Sequence, residues 1–583
     1  MKTRKLIFSI CFTLLLSGIG LKTSGSPFIY DGETVFVHTD RNIYIAGENI
    51  FFKLYVINKS SHKLSETSSI AYLILRGRGN IPVARIRFKV DRGTAYGSIF
   101  LPDTLSSGPY QLTAFTNCMR NSGEGSFFSE EIFIANRFDK DLSALDMYSG
   151  TSNLPDDNDA RDTPGNFTLI ISPDKTEYRH REKINLVLKI PGNLSGLQAD
   201  VSVSVSEDVP ETDGYISICD YLSVPSRDTI PMISTETDGY TFLPEVKGEI
   251  IQGRVIDQNS REAVADACVF LSVKDTLVDL KYDYTDANGL FRFLLNDYYD
   301  GKDLIFSIKD PGGRKLKIEP GDKFELINGF EPLKNPVNPG LKDYIIKCQD
   351  IVSVQKVYQT VSVKAAGKQF NTGIACPQLY YKPSYCVYPS DFMPLNDFVE
   401  ISGEILPPQL RIRKINDKYV ASMADEKLQM FLDQEPAVFL DGVLINDLNQ
   451  IIRMGSSKIK KVEMVCTRYV YGELVFPGIL AVFSTNDEIE NMQPCPVSLR
   501  MRLEKYHPYS GFTPPAYEEQ YPDNKPDFRQ LLYWNPDVRI KEDYIQIPGF
   551  YASDHSGNYI IRVEGVTSDG TPVSATAKIS VKQ

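Results

Sequence analysis

Histidine and cysteine are the residues from which this chain would build a metal centre or a nucleophile–base pair, and it has 5 of the first and 9 of the second. His38, His62, His180, His507 and His555 stand in different segments, with no HExxH and no pair at helical spacing, which a two-histidine metal site on a helix requires. No cysteine belongs to a CxxC. The nearest two, Cys376 and Cys386, bracket a short loop that a disulfide would close in an oxidising compartment, while the others read as small buried hydrophobes. The sequence holds no Gly-x-Ser-x-Gly elbow and no Walker loop. The stretch GRGN, Gly77 to Asn80, is too short to cradle a phosphate and reads as a hairpin turn. Two acidic stretches invite a calcium reading. Asp156, Asp157, Asp159 and Asp162 lack the glycine and distal glutamate of an EF-hand and read as a solvated linker. Asp286, Asn288 and Gly289 read as an Asn-Gly hairpin turn. The expectation is a chain with no catalytic, cofactor-binding or metal residues, and not an enzyme.

With 42% apolar and 24% charged residues the chain has the composition of folded domains, and its 583 residues exceed what a single hydrophobic core organises. Several domains follow. A formal net charge of -12 argues against a nucleic-acid footprint. Lys2, Arg4 and Lys5 precede an apolar run from Leu6 to Leu16 and the small residues Ser17, Gly18 and Gly20, the layout of an export signal, expected at 1–25. That run is shorter than the about 20 apolar residues of a membrane span, and no later uncharged stretch reaches that length, so no transmembrane segment is expected in the mature chain.

β-rich runs alternate with Gly- and Ser-rich turns between Thr34 and Ile134 and predict a β-sandwich over 26–140. Within it, HTDRNIYIAGENIFFKLYV (His38 to Val56) resembles the opening of a macroglobulin domain of alpha-2-macroglobulin and complement-like proteins. A polar linker is expected at 141–166. Then LIISPDKTEYRHREKINLVLKI (Leu169 to Ile190) repeats the layout of strand, Asp-Lys-x-x-Tyr, charged turn and strand, predicting a second macroglobulin-like sandwich at 167–247. GRVID, REAVADACVFL and YTDANGLFRFLL, between Gly253 and Leu295, resemble the transthyretin-like carboxypeptidase regulatory domain, placed at 248–330. Residues 331–390 read as a connecting segment with strand-like pieces at Asp343 to Lys347 and Lys356 to Val363.

LNDFVEISGEIL (Leu395 to Leu406) has helical spacing until Pro407 and Pro408 stop it. EPAVFLDGVLINDLNQIIRM (Glu435 to Met454) gives strand, Asp-Gly turn, strand and helix, and KIKKVEMV, YGE and PGILAVFST follow. In order and spacing this resembles the plug domain of TonB-dependent outer-membrane receptors, at 391–487. The residues after Thr485 are too few for such a receptor's barrel of about 22 strands. They predict a last immunoglobulin-like sandwich at 488–583, with Trp534 as a core anchor. The expected fold class is mainly β: tandem β-sandwiches plus one small α/β unit, with no β-barrel.

This order of domains resembles a family of envelope proteins of Gram-negative bacteria. The resemblance implies an exported chain, periplasmic or associated with the outer membrane or the cell surface, that mediates protein–protein contact without catalysis. Its implied partner is a TonB-dependent receptor or a TonB-like protein. The contact positions would be Asp441, Gly442, Tyr471 and Gly472, residues that also read as turn formers. The alternative is a surface adhesin or a macroglobulin-like protease inhibitor lacking the thioester, since no cysteine has glutamine three residues on.

Overall fold

The computed structural model describes residues 32–140, 142, 167–209, 215–223, 241–308, 314–325, 329–330, 339–358, 362–365, 377–416, 418–432, 434–486, 488–491, 497–517 and 525–583. The expected export signal and the four linker aspartates lie outside them.

Eight strands form the first sandwich: β1 (Glu33–Thr39), β2 (Ile43–Ile45), β3 (Asn49–Asn58), β4 (Ile70–Arg76), β5 (Pro82–Lys89), β6 (Thr94–Phe100), β7 (Gly108–Phe115) and β8 (Phe128–Ala135). They pair as β1-β3-β6 and β2-β8-β7-β4-β5 around a core that includes Phe52, Leu54, Leu73 and Leu112. GRGN is the β4–β5 turn, closed by the Gly77 amide donating to the Ile81 carbonyl at 2.9 Å.

A charged turn fixes the opening of this sandwich. Asp40 accepts from the Tyr44 hydroxyl at 2.9 Å and from the Phe51 amide at 2.8 Å, while Glu48 accepts from the Ile45 amide at 2.7 Å and from Arg41 at 2.9 Å. The same turn is built again further on. Asp174 accepts from the Tyr178 hydroxyl at 2.7 Å and the Asn185 amide at 3.0 Å, and Glu182 accepts from the Arg179 amide at 2.7 Å and from Lys175. In both copies carboxylates satisfy backbone donors that the turn would otherwise leave unpaired.

The second copy opens β9 (Phe167–Thr168), β10 (Ile170–Pro173), β11 (Glu177–Arg179), β12 (Lys183–Lys189) and β13 (Ala199–Glu207), and then the chain leaves. After α1 (Ile218–Ser223) it lays down a third sandwich: β14 (Glu249–Asp257), β15 (Cys268–Val273), β16 (Leu280–Tyr284), β17 (Leu290–Leu295), β18 (Asp303–Ile308) and β19 (Leu316–Pro320). Helix α2 (Pro339–Tyr358) and β20 (Ser362–Ala365) come next.

An α/β unit follows. Its elements are β21 (Tyr385–Val387), α3 (Phe398–Glu404), β22 (Leu410–Ile415), β23 (Lys418–Asp425), β24 (Met430–Phe431), β25 (Ala437–Leu440), β26 (Val443–Ile445), α4 (Asn449–Ile452), β27 (Ile459–Val465), β28 (Tyr469–Tyr471), β29 (Leu474–Phe476) and β30 (Ile479–Ser484). Asp397 caps α3 by accepting from the Glu400 amide at 2.9 Å. The main sheet runs β21-β27-β30-β25-β26, with β22-β23-β24 as a second, smaller sheet.

The chain then returns. β31 (Ser498–Arg502) pairs with β18, so the third sandwich is β17-β14-β19 against β16-β15-β18-β31, and β32 (Ser510–Thr513) pairs with β20. Finally β33 (Leu531–Ile540), β34 (Tyr544–Tyr551), β35 (Gly557–Thr567) and β36 (Pro572–Lys582) complete the second sandwich as β10-β12-β34 and β11-β36-β35-β13-β33.

Strand for strand, that is the order of the first sandwich. Even the parallel pairing of β2 with β8 is repeated by β11 with β36. The second sandwich adds the short β9, parallel to β36, and its main change is in the link from the fourth to the fifth strand. In the first sandwich it is the GRGN turn; in the second it carries α1, the third sandwich, α2 and the α/β unit. The fold is nested.

The segments 167–247 and 488–583, expected as two separate sandwiches, are therefore halves of one. β13 lies between β33 and β35, so neither half holds a complete sheet or buries its own core. The expected tail also gives β31 to the third sandwich. Of the strand-like pieces expected within 331–390, Asp343 to Lys347 is helix instead, whereas Lys356 to Val363 begins in the last turn of α2 and ends in strand β20; Leu341, Tyr344, Ile345, Cys348 and Val352 recur at helical spacing on α2 and bury against Ile43, Ile45 and Phe133 of the first sandwich. Trp534 is buried in a cluster with Phe51 of the first sandwich rather than inside its own. The class is mainly β, and among the described residues no sheet closes into a barrel.

Candidate functional site

Asp441, Gly442, Tyr471 and Gly472 lie on two turns of the α/β unit that both meet the third sandwich; Asp441 and Gly442 are buried, Tyr471 is half-buried and Gly472 is exposed. Asp441 carries φ +48° and holds its turn by accepting from the Ser484 amide at 2.6 Å and the Ser484 hydroxyl at 2.7 Å. Its carbonyl accepts from the Asp275 amide of the third sandwich at 3.0 Å. Tyr471 donates its hydroxyl to the Leu280 carbonyl at 2.6 Å and sets its ring edge-on to Tyr282, centroids 5.6 Å apart. The Tyr282 hydroxyl in turn accepts from the Glu473 amide at 2.8 Å. Between the two turns, Phe439, Leu444 and Ile479 of the α/β unit pack on Phe270, Val278 and Leu280. The four residues thus dock the α/β unit onto the third sandwich.

Gly442 is required there by the close approach of the third sandwich's backbone. Gly442 and Gly472 hold φ +83° and +61°, and a Cβ on Gly442 would stand 2.9 Å from the Val273 carbonyl oxygen. Gly442→Ala is expected to weaken docking by about 1–3 kcal/mol, read as a lower Tm of the full chain and faster proteolytic release of the α/β unit. Cys386 is an exposed free thiol on β21, and its expected disulfide partner Cys376 lies outside the described residues. Cys118, Cys219, Cys348 and Cys466 are buried. Asp286 makes an Asx turn, accepting from the amides of Asn288 at 2.8 Å and Leu290 at 2.9 Å, with Gly289 at φ +73°.

The polar chemistry that residue spacing does not reveal is a buried layer between the first two sandwiches. Lys53 of β3 is ion-paired with Asp200 of β13. The Tyr55 hydroxyl donates to the Glu564 carbonyl at 2.8 Å. His38 sits 2.6 Å from the Ser202 hydroxyl through Nδ1 and packs on Trp534, ring centroids 5.2 Å apart. A serine–imidazole contact is the geometry of a nucleophile–base pair. Here Ser202 and His38 are both buried, and the serine oxygen also lies 2.8 Å from the Tyr55 hydroxyl, so the contact holds the two sandwiches in register.

Burial sets the protonation of this layer. His38 is pushed down to about 3, with Arg562 and Lys53 acting in the same direction, so it is neutral. Burial raises Glu564 to about 7, against the hydrogen bonds it accepts from the Ile218 amide and from the Ser574 and Tyr215 hydroxyls. Glu130, held by Thr39, is likewise raised by burial to about 7. A carboxyl raised in the folded state contributes stability that is complete below its unfolded pKa of 4.5 and is lost as the pH rises through about 7. A lowered histidine acts oppositely: stability is lost as the pH falls from 6.5 towards about 3. Denaturant unfolding across pH is expected to show Glu564→Gln declining less than the parent chain between about pH 5 and 8.

Two further locks join the first sandwich to the third, the second of them through Tyr72 of β4, whose hydroxyl donates to Glu245 at 2.8 Å and accepts from Lys323 at 2.6 Å. Arg87 of β5 is ion-paired with Glu249 and with Asp300 at 2.8 Å, and its Nε donates to the Glu504 carbonyl at 2.8 Å. Lys323 lies 2.6 Å from Glu245 and 3.2 Å from Glu249. The domains are clamped by charged groups that are nearly all buried. Among the described residues no group of three or more His, Cys, Asp or Glu is placed to hold a metal ion, and no helix is long and apolar enough to cross a membrane.

No family model and no curated protein matches the sequence. Among solved structures the chain is similar to Salmonella alpha-2-macroglobulin reacted with methylamine, at 8% identity over 94% of this chain with a TM-score of 0.23. It is also similar to Escherichia coli alpha-2-macroglobulin in its native conformation, at 9% identity over 95% and a TM-score of 0.23. The trypsin-activated form of the E. coli protein gives 8% identity over 95% and a TM-score of 0.24. The chain spans 39%, 40% and 42% of the length of those three.

Proposed function

We propose that this chain is an exported, non-enzymatic interaction scaffold of the bacterial cell envelope, periplasmic or associated with the outer membrane. The observation that carries the reading is the clamped arrangement of the sandwiches, which holds the α/β unit as a fixed platform with large apolar side chains turned to solvent. Tyr381 is 98% exposed and Met393 82%, with Phe392 and Tyr388 beside them in sequence and also exposed. Such side chains on a rigid support are a contact surface for another protein. The sequence resemblance of the unit to a receptor plug supports a narrower reading, in which the partner belongs to the TonB-dependent uptake machinery. Because Asp441, Gly442, Tyr471 and Gly472 serve internal docking, the proposed contact moves to the Tyr381 to Met393 segment.

Crosslinking of the tagged protein in its native cells, followed by membrane fractionation and mass spectrometry, tests this reading. Recovery of an outer-membrane receptor or its energising protein, lost in Tyr381→Ser/Met393→Ser, is the expected result. Recovery without any protein partner contradicts it.

A further inference from the structure

Among the described residues, the β22-β23-β24 sheet has one face with no strand or helix packed on it. Its inner face packs Leu410, Ala421 and Met423 into the core of the α/β unit. The register places Arg411 opposite Ser422, Arg413 opposite Val420, Ile415 opposite Lys418, and Phe431 opposite Ala424, so these side chains share the other face. Arg411, Arg413, Ile415 and Lys418 are exposed, and Val420 and Phe431 are half-buried beside them.

The charge of this face is opposite to that of the chain. The molecule carries a net -12, yet the residues that share this face, Arg411, Arg413, Ile415, Lys418, Val420, Ser422, Ala424 and Phe431, include three cations and no acid. At the junctions between the sandwiches the cations are ion-paired, as Lys53, Arg87 and Lys323 are. None of Arg411, Arg413 and Lys418 is ion-paired among the described residues. The Arg411 guanidinium lies 3.9 Å from the centre of the Phe431 ring, which orders its plane while leaving its N–H edges for a bidentate acceptor. β22 is the outermost strand of the sheet.

We infer that this face binds an acidic segment of a partner protein in extended conformation. Arg411 and Arg413 stand two residues apart on a strand, a spacing of about 6.6 Å, which is that of alternate side chains on an extended acidic segment. Val420 and Phe431 provide an apolar floor for the residues between its carboxylates. A protein partner fits better than an anionic bilayer, because the net negative charge of the whole molecule opposes approach to a negative surface of large extent. The inference deepens the interaction-scaffold reading and rests on it.

The test uses the full chain and a fluorescent peptide of about eight residues alternating Glu and Val, followed by anisotropy at about 0.05 and about 0.3 M salt. Saturable binding is expected, weakened by salt, and weakened about tenfold or more by Arg411→Glu/Arg413→Glu. All three cations are exposed, so folding is expected to survive; Lys418→Glu, on the neighbouring strand, serves as the second variant. Absence of peptide binding, or equal binding by the charge-reversed chains, overturns the inference. So does charge-dependent flotation with phosphatidylglycerol–phosphatidylcholine vesicles without peptide binding, which assigns the face to lipid. These results remove this surface alone, whereas the scaffold reading fails separately if crosslinking recovers no protein partner.

Discussion

Deletion of residues 525–583 is expected to abolish the second sandwich outright while leaving its first five strands in the chain. The deleted stretch supplies β33 to β36, and β13 loses the neighbours on both of its sides. Leu532, Val538, Ile540, Ile547, Phe550, Ile561, Val563 and Val573 leave the core that Leu186, Leu188, Val201 and Val203 share with them. At about 1.5–3 kcal/mol for each buried side chain, the loss exceeds the about 5–15 kcal/mol by which a whole domain is ordinarily stable. The buried layer around His38 loses Glu564, Arg562 and Trp534 at the same time. Limited proteolysis should cut the shortened chain between residues 167 and 209, and its unfolding should lose cooperativity. Continued protection of that stretch would mean it folds without the tail.

Arg87→Ala has the second largest expected effect, about 3–5 kcal/mol, because it removes one partner of a buried ionic cluster and leaves the others uncompensated. Glu249 is almost wholly buried, Asp300 is already raised by burial, and the Tyr506 ring lies 4.0 Å under the guanidinium. Arg87→Met, which keeps volume and stacking, is expected to be as damaging, since the cost lies in the stranded carboxylates. A change below about 1 kcal/mol in the denaturation midpoint of either variant would show that the cluster is hydrated and the domains are not locked through it.

The sequence shows the local features of this fold. Asp40 with Tyr44 and Asp174 with Tyr178 announce the two sandwich openings because each turn satisfies its own hydrogen bonds within eleven residues. The α3 boundaries are readable for the same reason, from Asp397 and the two prolines. Pairing is not readable in this way. β13 and β35 each alternate apolar and polar residues as any half-buried strand does, and nothing in either names a partner more than three hundred residues away, as Ser202 is from Glu564.

The helix α2 was available in the spacing of Leu341, Tyr344, Ile345, Cys348 and Val352 but is obscured by the prolines and glycines just before it. The internal docking of Asp441 and Tyr471 is hidden for a further reason. Asp441-Gly442 and Tyr471-Gly472 have the residue types of exposed turns, and it is the third sandwich, folded against them, that buries Asp441 and Gly442 and takes the Tyr471 hydroxyl. The buried ionic layer leaves no sequence signature at all. Lys53 and His38 look like surface residues of a strand until a second sandwich covers them.

Nesting is tested most directly by cutting the chain on both sides of the inserted domains. Specific protease sites placed at 210–214 and 518–524 would, after cleavage, release the segment 525–583 from every covalent link to the rest. The expected result is that it co-elutes with residues 32–209 on size exclusion under native conditions and separates only in denaturant, because its strands lie on both sides of β13. Elution of 525–583 as a separate folded domain, with the remainder still folded, would contradict the nested architecture.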